Sequence, residues 1–195
     1  MSSPLPVVIL AGGEGRRIGG GKPARMLGGR TLLDRTLSTA CMWSDLVAVA
    51  VRSGAPAVPV PVLRDDPEIA GPLGGLAAAL RYARDEGAEW VLTLPCDMPF
   101  VPADLPDRLS AEIGAAAAAI AMSGGEIHPV CGLWHVQALK GLEDYLASGR
   151  RSLRGFAKAV GYVTVAWPRE RFDPFFNIND ERDLEQAEAL LAPRH

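Results

Sequence analysis

The stretch Val7-Val8-Ile9-Leu10-Ala11-Gly12-Gly13-Glu14-Gly15-Arg16-Arg17-Ile18-Gly19-Gly20-Gly21-Lys22-Pro23 couples an apolar, β-branched run to a glycine-rich turn that carries cations. Pro4 to Leu10 has the continuous hydrophobicity of a strand buried on both faces, as in a parallel sheet. Six glycines then fall in the ten positions from Gly12 to Gly21. Glycine lets the backbone approach a ligand closely, so successive N–H groups can line a concavity for an anion. Arg16, Arg17, Lys22 and Arg25 add four cations against the one carboxylate of Glu14. The pattern reads as a phosphate cradle; the competing reading is a surface loop with solvated charges. A P-loop is excluded, because Arg16 stands where its first glycine should be and Pro23 follows the lysine. A dinucleotide fingerprint starting at Gly13 is excluded too, because Ile18 occupies its third glycine position.

The rest of the chain must supply a sheet for that strand. Its 195 residues suit one domain with a large core, and we expect a single domain over residues 1–195. Hydrophobic residues are 48% and charged residues 22%, as in ordinary globular proteins. A net charge of -3 and a pI of about 5.6 provide no global field for nucleic acid or an anionic membrane, so any anion must be held by local cations. Met1-Ser2-Ser3-Pro4 lacks a basic n-region, and no run is long enough to span a membrane. Cys41, Cys96 and Cys131 lack metal-ligand spacing and read as reduced thiols in small core positions. Together these features predict a cytoplasmic protein with no nucleic-acid or membrane partner.

After the loop, Thr31 to Trp43 shows helical spacing, with Gly28-Gly29 as the preceding turn and Thr31 as its cap. Asp45 to Val51 and Val60 to Leu63 read as strands, Leu73 to Glu86 as a helix and Trp90 to Leu94 as a fourth strand. That order predicts an α/β fold: a three-layer, Rossmann-like domain with a mostly parallel twisted sheet. Asp104 to Ile113 reads as a helix. Ala115 to Met122 is ambiguous, since alanine favours helix while the flanking glycines fit a strand; we assign strand. Ile127 to Trp134 is a strand, Val136 to Ala147 and Leu153 to Val160 are helices, and Tyr162 to Ala166 and Phe175 to Ile178 are further strands. Asp180 to Leu191 closes the chain as a helix, capped by Asp180 with Asp183 in its first turn.

In an open parallel sheet the ligand crevice lies beyond the carboxyl ends of the strands. Asp97, between Pro95 and Pro99 at such an end, can hold a hard cation or cap a turn. Asp65 and Asp66 follow the third strand at the same edge and could recognise a ribose or base, or start a turn. Gly71-Pro72-Leu73-Gly74-Gly75 opens a helix and offers close-approach backbone at its N-terminus, or tight helix packing. Asn177-Ile178-Asn179 places two amides on one face of an extended segment. His128-Pro129 and the Arg150, Arg151, Arg154 group admit structural readings as readily as functional ones. No Ser-His-Asp or Cys-His nucleophile set can be assembled from spacing. Cations plus one well-placed carboxylate suit phosphoryl or nucleotidyl transfer by positioning and charge neutralisation.

The ordered set Leu10-Ala11-Gly12-Gly13 through Lys22, Asp65 through Gly75, Pro95-Cys96-Asp97-Met98-Pro99, His128-Pro129 and Asn177-Ile178-Asn179 with Asp183-Leu184 resembles the nucleotidyltransferases. Within them it is most similar to the molybdenum cofactor guanylyltransferases, the MobA type. The resemblance implies a GT-A-like nucleotidyltransferase domain that transfers GMP from GTP to Mo-molybdopterin, giving the guanine dinucleotide cofactor and pyrophosphate. It implies that Leu10, Ala11, Gly12, Gly13, Asp65 and Gly74 meet the nucleotide, and that Arg16 and Lys22 meet its phosphates as catalytic cations. Asp97 would hold Mg2+ and face the nucleotide, and Asn177 and Asn179 would lie near the acceptor. Molybdopterin-delivering and molybdoenzyme-maturation proteins are the implied protein partners. Related cytidylyltransferases resemble one another in having Leu-Ala-Ala-Gly at the first motif, so Gly12-Gly13 after Ala11 points to guanine. Two positions depart from the pattern: Val51-Arg52 stand where an asparagine is common, and Ile18 replaces the usual methionine. The alternatives are a molybdopterin cytidylyltransferase, a sugar-phosphate nucleotidyltransferase, or a GTP-binding regulatory module without turnover.

Overall fold

In the computed structural model, which describes residues 4–12, 22–54, 56–69 and 71–192, the opening apolar run forms strand β1, Val7–Leu10. β1 lies inside a seven-stranded sheet and is buried on both faces. Val7 and Ile9 face one helical layer, Val8 and Leu10 the other. Its parallel neighbours are β4 (Val47–Val51) and β6 (Trp90–Pro95), and β5 (Val62–Arg64) pairs parallel to β4 at the sheet edge. Beyond β6 come β8 (Glu126–His135), β7 (Ala118–Ser123) and β9 (Tyr162–Trp167), giving the order β5-β4-β1-β6-β8-β7-β9. Only β8 runs against its neighbours, because Gly124-Gly125, with φ of 54° and 81°, turns β7 straight back as a hairpin. The sheet is therefore mostly parallel, as the element order predicts.

Helices cover both faces. α1 (Leu32–Trp43) and α3 (Leu105–Glu112) pack on one through Leu33, Leu37, Leu105 and Leu109. α2 (Pro72–Asp85), α4 (Ala138–Ala147) and α5 (Leu153–Val160) pack on the other through Leu73, Leu76, Leu142 and Phe156. A small satellite core of Leu27, Leu32, Ile178 and Ala187 seats the last helix, α6 (Glu181–Leu191). Thr31 caps α1 by accepting from the Asp34 N–H, and Asp180 and Asp183 form a reciprocal capping box on α6.

Five findings differ from the sequence reading or refine it. Gly28 and Gly29 turn a short ribbon, β2 (Met26–Leu27) with β3 (Arg30–Thr31), ahead of α1. The alanine-rich run is the strand β7, because partners on both sides outweigh alanine's helical preference. Phe175 to Ile178 is not a strand: the segment is irregular, and the Ile178 N–H reaches only as far as the Asp97 carbonyl. Cys96 and Cys131 are core residues as expected, whereas Cys41 is exposed. The β7–β8 register jumps from Ile120↔Gly132 to Ala121↔His128, looping out 129–131; Pro129, which has no N–H to donate, lies in that bulge.

Candidate functional site

The carboxyl ends of β1, β4, β5 and β6 open on one cavity of about 420 Å³. Leu10 and Gly12 reach it from β1, Arg52 from β4, Asp65 from β5, and Pro95, Cys96 and Asp97 from β6. Gly71, Pro72 and Gly75 at the start of α2, with Val130 and Asn177, complete its wall together with Lys22. β1 is the strand from which the sheet grows in both directions, so this is a topological switch point.

Lys22 begins a short 3-10 turn, Lys22–Ala24, and its ammonium joins two distant segments. Nζ donates to Asp97 Oδ2 at 2.9 Å and to Asn179 Oδ1 at 3.0 Å. The Lys22 and Asp97 side chains are 12% and 17% exposed, so water screens the pair only in part. Asn179 is in turn fixed by its N–H to Asp183 Oδ2 at 2.7 Å.

Asp65 is buried, and its Oδ1 has no hydrogen-bond partner. Two glycines leave it room. A Cβ at Gly12 would run into the Asp65 carboxylate, and one at Gly75 would meet Leu10 Cδ2 at 3.1 Å and Asp65 Oδ1 at 3.5 Å. Burial pushes the Asp65 carboxyl above its ordinary range, and the nearby Arg52 cation offsets part of that rise. A buried carboxylate oxygen lacking a donor is costly unless a ligand N–H or O–H completes it. Asn177 Oδ1 is likewise buried without a partner on the cavity wall. Asp66, by contrast, pairs with Arg81 at 3.2 Å and accepts the Glu68 N–H, so it serves the turn.

The structure thus gathers Leu10, Gly12, Lys22, Asp65, Asp97, Asn177 and Asn179. Ala11 is packed in the core, and Gly74 abuts the Ile69 carbonyl, where a Cβ would stand at 2.9 Å; its neighbour Gly75 faces the cavity instead. Gly13 and Arg16 lie outside the described residues. Arg25 pairs with Glu181 at 3.2 Å, and Arg150 and Arg151 pack on Tyr145 and on the end of α4. Sequence reasoning missed Arg52 as a cavity residue; its signal was a lone cation directly after a buried strand.

A Ser-His-Asp group does exist in space: Ser123 lies between His128 and Asp173. The serine sits between the other two and is 1% exposed, so it is no nucleophile. Burial raises the Cys96 thiol to about 12 and holds Cys131 well above its ordinary value, leaving both protonated and inert.

The donors at Asp97 suit a hard cation. Mg2+ is commonly held by one or two carboxylates with substrate phosphate oxygens completing its shell. Asp97 provides a carboxylate, and Asn177 an uncommitted amide oxygen on the same wall. Among the described residues no cluster of three His, Cys, Asp or Glu could hold a metal without substrate.

A family model described as the MobA-like NTP transferase domain matches residues 7–163. A molybdenum cofactor guanylyltransferase of Cereibacter sphaeroides is 42% identical over 190 residues, covering 94% of this chain and 95% of its own. One of Acidiphilium cryptum is 43% identical over 194 residues, covering 96% and 95%. Among solved structures, molybdopterin-guanine dinucleotide biosynthesis protein A from Archaeoglobus fulgidus superposes with a TM-score of 0.75 at 26% identity, over 95% of this chain and 97% of that one. The 2-C-methyl-D-erythritol 4-phosphate cytidylyltransferase of Thermus thermophilus shares the fold, with a TM-score of 0.67 at 23% identity over 97% and 98% of the two chains.

Proposed function

Because the chain belongs to the MobA-like NTP transferase family, a family of nucleotidyltransferases, we propose that its cavity transfers GMP from GTP to Mo-molybdopterin. The bridging of Asp97 and Asn179 by Lys22 supports this reading: on it, the Lys22 ammonium serves the phosphates between a nucleotide side at Asp97 and an acceptor side at Asn179. A phosphate oxygen of the acceptor attacks the α-phosphorus of GTP, the bond to the β-phosphate bridging oxygen breaks, and pyrophosphate leaves. The nucleophile is already an anion at neutral pH, so the chain need not supply a general base. Its work is alignment and charge neutralisation. Lys22 donates to phosphate oxygens, and Asp65 Oδ1 accepts from the nucleoside. Leu10 and Gly12 bring backbone against the base, and Asn177 and Asn179 hold the acceptor. Arg16 and Gly13 are assigned to the phosphates and base by resemblance alone. Asp97, with Asn177 and phosphate oxygens, would hold Mg2+, and the ion when bound would supply positive charge against the charge developing on the leaving pyrophosphate.

No helix among the described residues is long and apolar enough to cross a membrane. Our reading places the enzyme in the cytoplasm, working alongside molybdopterin-delivering and molybdoenzyme-maturation proteins. The test is pyrophosphate release from GTP, CTP and ATP, each with Mg2+ and Mo-molybdopterin. We expect release with GTP only, and a loss of about 100-fold or more in Asp97→Ala, the scale of removing a group that neutralises transition-state charge. Preference for CTP would reassign the base. GTP binding without release would mark a regulatory module, and unchanged turnover in Asp97→Ala would remove the metal role.

A further inference from the structure

The segment that carries Asn177 and Asn179 is not held by a strand ladder, although its sequence suggests one. Side chains hold it instead. Asp173 Oδ1 accepts from Ser123 Oγ at 2.7 Å and from the Phe175 N–H at 2.9 Å. Ser123 Oγ also meets His128 Nε2 at 2.8 Å. A serine hydroxyl has one hydrogen, and a carboxylate only accepts, so that hydrogen goes to Asp173 and Nε2 must donate to Oγ. The network itself therefore assigns the His128 tautomer.

The histidine ring then stacks on Phe175, with centroids 4.8 Å apart and planes 20° apart, while Trp167 packs on Phe175 edge to face with centroids 5.5 Å apart. Arg169 closes the outer side through Asp173 Oδ2 at 2.6 Å and lies across Gly124, where any Cβ would meet the guanidinium. Ser123, His128 and Phe175 are 1%, 8% and 2% exposed, so these bonds are shielded from water. Burial alone would raise the Asp173 carboxyl. The Ser123 and Phe175 donors, with Arg169 and His128, reverse that and hold it below its ordinary range, consistent with a carboxylate kept ionised as an acceptor.

We propose that Ser123, His128 and Asp173 form a positioning clamp, anchored on the β7–β8 hairpin, that sets Asn177 and Asn179 against Lys22 and Asp97. The hairpin is rigid sheet and the segment is irregular, so the clamp is where the sheet imposes its geometry on the acceptor side. Two residues beyond the stacked Phe175 lies Asn177, and beyond it the Ile178 N–H bonds the Asp97 carbonyl at 2.9 Å. None of the three touches substrate; each acts through the two asparagines. The kinetic part rests on the reading of those asparagines as acceptor-binding.

Two measurements on the whole chain test the clamp. Amide hydrogen exchange of residues 174–179 should rise about tenfold or more in Ser123→Ala and Asp173→Ala, as expected for a segment released from its anchor. In turnover, the acceptor KM should rise about tenfold while the GTP dissociation constant stays within about twofold, a split that general loss of structure would not produce. Asp173→Asn keeps the oxygen that accepts from Ser123 and Phe175 but turns a donor toward Arg169, so both readouts should fall between those of Asp173→Ala and the wild type. Unchanged exchange overturns the clamp, as does GTP affinity falling in step with acceptor affinity. If the wild-type chain turns over no nucleotide, the acceptor reading fails, and the exchange result alone decides whether the clamp exists.

Discussion

Asp65 shows how a single residue trades stability for binding. Its Oδ1 lacks a donor, and Gly12 and Gly75 give up their side chains to make room for it. Its carboxyl is raised by burial, partly offset by Arg52. The unfolded chain therefore ionises at this position first as pH rises above about 3.8, and stability falls between that pH and the higher folded value. Above the folded value the whole penalty is present. Asp65→Asn removes the charge, and the expected result is a melting temperature higher by about 2–4 °C, the shift for about 1 kcal/mol in a chain of this size. GTP affinity should fall about tenfold or more by calorimetry. Lower melting with wild-type GTP affinity would refute both halves. The importance of Asp65 was legible as a carboxylate after a buried strand. Its missing partner was not, because that depends on Gly12 arriving from the end of β1 and Gly75 from the start of α2.

At the scale of elements, what was legible was local. Thr31 and Asp180 cap their helices as the sequence indicates, because a cap needs only its own next three residues. Phe175 to Ile178 misled, because apolar alternation says nothing about whether a partner strand has a free edge. The capping box on α6 also reaches into the site: Asp183 Oδ2 accepts both the Asp180 and Asn179 N–H groups. Asp183→Ala should cost about 1 kcal/mol of stability, typical of a lost cap, and also weaken acceptor binding through Asn179. Thr31→Ala supplies the control, with a similar loss in thermal unfolding and unchanged turnover. Equal turnover in the two variants would show that the α6 cap is structural only.

For the whole molecule, the order strand, helix, strand, strand, helix, strand was enough to place the crevice, since successive parallel strands put their carboxyl ends on one side. The reversed β8 was less visible, although Gly124-Gly125 between two apolar runs is its cause. What no stretch of sequence displays is the meeting of residues 22, 97 and 179, which are 75 and 157 positions from the lysine. An ammonium has three hydrogens to give, and Lys22 commits two of them, to Asp97 and to Asn179. The third can go to a nucleotide phosphate while the other two stay in place. One cation thereby becomes a shared term in two binding equilibria, and linkage requires that each substrate tighten the other by the same factor. A thermodynamic cycle with a non-hydrolysable GTP analogue and molybdopterin should return one coupling constant of about 5-fold or more from either direction. Asn179→Ala should bring it to unity, making the two substrates strangers to each other in the same cavity.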